Sequence, residues 1–172
     1  MLSVLAGSLL LAGCATSGQG VRTDANPDAV DAYTQLGVAY LERDNLPRAL
    51  NALDRALELN PRHAEAFQAL ALVYQQQGES ELANRYFQQA LDAEPSFTRA
   101  RNNYAAFLYQ QAEFSKACEQ LEMASQDAQY ANRAQLFTNL GQCYLAIDEL
   151  DKARERLQRA QSIDPRNPRG YL

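Results

Sequence analysis

Three cysteines and a single histidine are the residues of this 172-residue chain best equipped for chemistry: Cys14, Cys118, Cys143 and His63. A thiol can carry a lipid, pair in a disulfide, bind a metal or attack as a nucleophile, and each role demands particular neighbours. Nucleophilic catalysis needs a general base beside the reacting group, and no Ser or Cys here has one in register with it. His63 has no ligand-type residue at metal spacing and reads as an exposed residue at the start of a helix. No Gly-rich loop able to cradle a phosphate occurs. The expectation is therefore a chain that is not an enzyme, with no cofactor, no metal and no small-molecule substrate.

Position separates Cys14 from the other two thiols. Met1 to Ala12 is almost wholly apolar. That run is too short to span a bilayer, which takes roughly 18 or more residues, and it has the length of a signal-peptide core. It closes on Leu11-Ala12-Gly13-Cys14, which resembles the lipobox of bacterial lipoproteins. Small residues at 12 and 13 let a peptidase reach the bond before Cys14, whose thiol takes the diacylglyceryl group. The resemblance implies a signal peptide over 1–13 and a membrane-anchored mature chain beginning at Cys14; the alternative is an ordinary cleaved signal with a fortuitous cysteine. The basic residues expected before such a core are missing, the first arginine being Arg22, so either the natural start lies upstream or the N-terminus was trimmed. Ala15, where this class of protein reserves Asp for retention, implies the outer membrane, on its periplasmic face. From Thr16 to Pro27 no apolar period exists, so residues 14–28 are expected to be the lipidated cysteine and a flexible tether.

The elements behind the tether must be helices. The composition, 47% hydrophobic and 22% charged with many Ala, Leu and Gln, no Trp and 8 Gly, can bury a core and favours helix over strand. A net charge of −5 argues against nucleic acid as the partner, because phosphate binding needs clustered Lys and Arg. The one basic stretch, Lys152 to Arg156, is interrupted by Glu155 and flanked by Asp148, Glu149 and Asp151, and reads as a solvated helix face.

An internal period settles the arrangement. Tyr33, Leu36, Gly37, Tyr40, Ala49, Leu53, Ala56 and Pro61 recur 34 residues on as Phe67, Leu70, Ala71, Tyr74, Ala83, Phe87, Ala90 and Pro95. They recur again as Arg101, Tyr104, Ala105, Leu108, Ala117, Leu121 and Ala124, where Gln129 replaces the proline, and after 36 residues as Phe137, Leu140, Gly141, Tyr144, Ala153, Leu157, Ala160 and Pro165. This resembles the tetratricopeptide (TPR) repeat. Within each copy, positions 4, 7 and 11 share one helical face, small residues at 8, 20 and 27 let two helix axes approach, and a proline at 32 stops the second helix. The predicted fold is all-α, a TPR solenoid of antiparallel helix pairs over 29–172, with repeats at about 30–63, 64–97, 98–133 and 134–167. The predicted helices run about 29–43, 46–59, 63–77, 80–93, 97–111, 114–127, 132–146 and 149–162. Tyr171 falls where the first aromatic of a fifth repeat belongs, so a fifth repeat is expected to begin and to be cut short.

In a TPR array the first helices of the pairs line a concave face. Repeat positions 5, 9 and 12 are Thr34, Val38 and Leu41; Gln68, Leu72 and Gln75; Asn102, Ala106 and Tyr109; and Thr138, Gln142 and Leu145. With no Lys or Arg among these twelve, the groove is expected to take an amphipathic or extended peptide with few charges, the alternative being bland solvated surface. Cys118, on the second helix of the third repeat, and Cys143, on the first helix of the fourth, fall on neighbouring helices of such a stack. In an exported chain they are expected to pair; otherwise they are two buried thiols packing separately.

The stretches Asn102-Asn103-Tyr104, Ser125-Gln126-Asp127 and Phe137-Thr138-Asn139-Leu140-Gly141 go beyond generic TPR residues. Together with the lipobox they resemble the type IV pilus biogenesis lipoproteins of the PilF/PilW family, over Cys14 to about Pro165. The resemblance implies an outer-membrane lipoprotein that acts as a pilotin, with the pilus secretin as its protein partner. A generic envelope TPR adaptor, serving peptidoglycan enzymes or outer-membrane protein assembly, is the other reading.

Overall fold

The computed structural model describes residues 27–166. They form α1 (Pro27–Glu42), α2 (Leu46–Leu59), α3 (Ala64–Gln76), α4 (Ser80–Ala93), α5 (Thr98–Gln110), α6 (Phe114–Ser125), α7 (Arg133–Ala146) and α8 (Leu150–Ile163), with no strand among the described residues. The proposed signal segment, Cys14 and Tyr171 lie outside that range. α1 begins at Pro27, two residues before the helix predicted from 29. Proline suits a first helical position because its missing N–H has no partner there anyway and its φ is already helical.

The same residues end and restart the helices in each copy. Repeat position 15 turns the chain in the left-handed region at Asp44 (φ 56°), Gly78 (80°), Ala112 (59°) and Asp148 (61°). In each case the next residue's N–H reaches back to a helix carbonyl: Asn45 to Tyr40, Glu79 to Tyr74, Glu113 to Leu108 and Glu149 to Tyr144. These bonds satisfy carbonyls the helix end leaves free. Asn60, Glu94 and Asp164 are extended, as residues before proline must be, and terminate α2, α4 and α8. Where Gln129 replaces proline, Asp127 does the work instead. Its carboxylate accepts from Thr98 Oγ1 at 2.7 Å and from the Gln129 N–H at 2.9 Å. Those donors, the Thr98 hydroxyl first, hold its pKa below the ordinary carboxylate value.

Each helix pairs with its sequence neighbours, and α1, α3, α5 and α7 form a second row of contacts. The small residues at positions 8, 20 and 27 are buried, and the two glycines at position 8 are the most tightly packed on. A Cβ on Gly37 would stand 2.5 Å from Leu53 Cγ, and one on Gly141 2.5 Å from Leu157 Cγ. The core forms two clusters, one across α1–α3 and one from α3 to α8. Phe87 stacks against Tyr104 (5.3 Å) and packs on Phe107 (5.6 Å) in the second.

The helical face at repeat positions 4, 7 and 11 is less buried in the first repeat than in the others. Leu36 is 43% exposed, while its equivalents Leu70, Tyr104 and Leu140 are 0%, 7% and 0%. Tyr33 is likewise exposed. In later repeats this face of the first helix packs on the second helix of the preceding repeat, and α1 has no described helix before it.

Candidate functional site

The twelve residues at repeat positions 5, 9 and 12 sit on α1, α3, α5 and α7, but they divide into two kinds. Thr34 and Thr138 offer almost no surface, although Thr34 borders the cavity between α1 and α3. Both are buried, and their hydroxyls donate back to Val30 O (2.9 Å) and Ala134 O (3.0 Å) one turn earlier, since a Thr facing a packed helix satisfies its hydroxyl that way. Gln68 is also buried and accepts from Arg99 Nε at 3.1 Å. Gln75 donates to Gln110 at 2.8 Å, and Asn102 accepts from Asn139 at 3.2 Å. These five residues therefore hold helices together or turn inward. The exposed members are Val38, Ala106, Tyr109, Gln142 and Leu145, with Leu41 and Leu72 half-buried between them.

Two cavities form along this row. One, of about 530 Å³, lies between α1 and α3 and is lined by Val38, Leu41, Gln68 and Leu72 together with Glu42, Glu65 and Arg99. The other, about 220 Å³, lies between α5 and α7 beside Ala106, Tyr109, Asn139 and Gln142. Tyr109 is braced there by Phe114, ring edge to face at 4.9 Å. Leu145 lines neither cavity.

The expected absence of charge fails at the first cavity. Arg99 donates to Glu65 Oε1 at 3.0 Å as well as to Gln68, and Glu42 stands at the rim. These three occupy repeat positions 2 and 13, which flank the positions read from the sequence. The repeat frame carried the signal, and extending it by two positions would have found them. Leu72, one of the twelve groove positions, also packs against the core. His63, read as exposed, has a side chain only 16% exposed, with Nε2 3.7 Å from Asp31 Oδ1, because α3 leans on α1 at that end.

Cys118 and Cys143 are joined by a disulfide between α6 and α7, with Cα atoms 5.5 Å apart. Nearby, Tyr144 donates to Glu122, and Arg156 pairs with that same carboxylate at 3.2 Å. Burial, then the Glu122 partnership, pushes the Tyr144 phenol up to about 12. Among the described residues no group of three or more His, Cys, Asp or Glu is placed to hold a metal, and no helix is long and apolar enough to cross a membrane.

Tetratricopeptide repeat family profiles match residues 28–94, 68–132 and 134–167. The chain is 38% identical over 161 residues to the type IV pilus assembly protein PilF of Pseudomonas aeruginosa, covering 92% of this chain and 64% of that protein. It thus spans just under two thirds of that curated relative. The solved structure of Pseudomonas aeruginosa PilF superposes with a TM-score of 0.80 at 37% identity, over 84% of this chain and 65% of that one. PilW, described as a widely conserved type IV pilus biogenesis factor, superposes at 0.75 with 24% identity, over 82% of this chain and 64% of that one, a likeness of fold.

Proposed function

Since the chain belongs to the tetratricopeptide repeat family, we propose that it is a protein-binding scaffold of type IV pilus assembly, anchored through a lipidated Cys14 to the periplasmic face of the outer membrane. The observation that carries this reading is its 38% identity to PilF across 92% of its length. The partner in this proposal is the pilus secretin. A segment of a secretin subunit lies along the row of odd-numbered helices, with apolar side chains entering the cavity at Val38 and Leu41 and resting on Tyr109. The lipid confines that surface near the membrane and raises its effective concentration for membrane-bound subunits. Burying a few such side chains contributes several kcal/mol at about 25 cal/mol per Å², from which association costs are subtracted.

Val38 and Tyr109 make the fair test, being exposed at 36% and 41%. The double variant Val38→Asp/Tyr109→Asp should keep its helical circular dichroism and lose secretin multimers and surface pili. Normal multimers in that variant would remove the groove from the proposal. Normal multimers after complete deletion would remove the pilus reading and leave a general envelope adaptor. The anchor is tested separately: alkynyl fatty acid should label the wild type and not Cys14→Ser, and equal labelling of both would refute it.

A further inference from the structure

On the side of α6 and α8, sharing no residue with the groove, three arginines surround an open cavity of about 500 Å³. Arg133 comes from the first turn of α7, and Arg156 and Arg159 from α8. A chain with net charge −5 has carboxylates to spare, yet Arg133 and Arg159 make no ion pair with any described residue. Arg133 instead lies over the ring of Phe137 at 5.5 Å. Arg156 divides its guanidinium between Glu122 at 3.2 Å and Glu155 at 3.4 Å. The Nε atoms of both Arg133 and Arg156 are buried without a hydrogen-bond partner, an uncommon and costly state for a charged donor.

We infer that this cavity is a recognition site for a carboxylate-bearing segment of a partner protein, distinct from the groove and independent of its occupant. Guanidinium groups grip carboxylates through paired N–H donors, and Arg133 and Arg159, lining one cavity without an ion pair of their own, define a place for an acidic side chain. The charges facing it are those three arginines and Glu155; Asp127, whose charge acts on Arg133, is bonded to Thr98 and the Gln129 N–H, and Glu122, from α6, is already committed to Tyr144 and Arg156. Phe137, almost wholly buried, holds Arg133 over its ring at the cavity's edge. An anionic bilayer fits less well. A flat acidic surface would meet the whole chain's negative charge, including Asp151, exposed on the same helix, whereas a narrow side chain enters the cavity alone.

The test uses the full chain and a fluorescein-labelled hexaglutamate peptide, read by fluorescence polarisation, with a hexaglutamine peptide as control. Hexaglutamate should bind and hexaglutamine should not, and binding should weaken as NaCl rises. Arg133→Gln/Arg159→Gln should weaken it about tenfold or more, as expected for losing charge-assisted hydrogen bonds. Arg154→Gln, which removes an exposed arginine already paired with Asp151, should not change it. Circular dichroism reports whether each variant is folded, and Arg133→Lys/Arg159→Lys, which keeps the charge without the fork, should bind with intermediate affinity. Absence of hexaglutamate binding, or binding unchanged in the Gln double variant, would overturn the inference. So would arginine-dependent binding to phosphatidylglycerol vesicles in place of the peptide, which would make the site a lipid contact.

Discussion

Two side-chain arrangements between α6 and α8 carry expectations of their own. The Cys118–Cys143 disulfide closes a loop with a sequence separation of 25, and a loop of that size contributes roughly 3 kcal/mol in the chain-entropy account. Cys118→Ala/Cys143→Ala should therefore lower stability by about that amount in denaturant unfolding. Thiol alkylation of the unfolded, unreduced wild type should leave both cysteines unlabelled. Tyr144 gives a pH signature. Its phenol holds its proton more tightly in the fold than in the unfolded chain, so between about pH 10 and 12 the folded state carries the extra proton. The stability this represents is complete below pH 10 and is lost as pH rises through 12. In a spectrophotometric titration Tyr144→Phe should remove the component ionising near 12, and the alkaline loss of stability should become shallower. It should not vanish, because burial also raises Tyr74 and Tyr104.

At the scale of elements, the four repeat turns form a comparison made within one molecule. All four place position 15 at positive φ, and their residues are Asp44, Gly78, Ala112 and Asp148. Glycine takes that conformation freely and Asp tolerates it, but the Cβ of alanine meets the following carbonyl, at a cost of roughly 1–2 kcal/mol. Ala112→Gly should raise stability by about 0.5–1 kcal/mol after glycine's larger unfolded-state entropy is counted. Gly78→Ala should lower it by a similar or larger amount. Paired thermal melts would check both, and a destabilising Ala112→Gly would show that the turn is not strained. The third junction shows a second way to end a helix: without the proline, the chain bends around Asp127 and its bonds to Thr98 and the Gln129 N–H.

The whole molecule is a stack whose two described ends differ. α1 presents Tyr33 and Leu36 uncovered, and its cluster spans only three helices, whereas the cluster from α3 to α8 is larger and includes both disulfide cysteines. Repeat arrays open from the end with the weakest interfaces. Hydrogen exchange should therefore run faster in α1 and α2 than in α5 to α7, and equal protection across the array would contradict this order.

The sequence alone was enough for the fold class and the helix positions. Small residues at 8, 20 and 27, an apolar face at 4, 7 and 11, and a closing proline are local patterns that repeat, and each has one physical use. The neighbour relation of Cys118 and Cys143 was legible for the same reason, since the repeat frame places their helices side by side. Only tertiary structure decided which members of one helical face are surface. Thr34 and Thr138 share a repeat position with Gln68 and Asn102, yet their hydroxyls turn inward, while the two amides bridge to the next first helix. It also decided that Leu36 is bare while Leu70 is buried, because burial of a repeat residue depends on the preceding helix and not on the residue itself. The arginine cavity was out of reach of the sequence for a similar reason. Arg133 and Arg159 are 26 positions apart, on helices of opposite direction, and they meet only because α7 and α8 pack face to face.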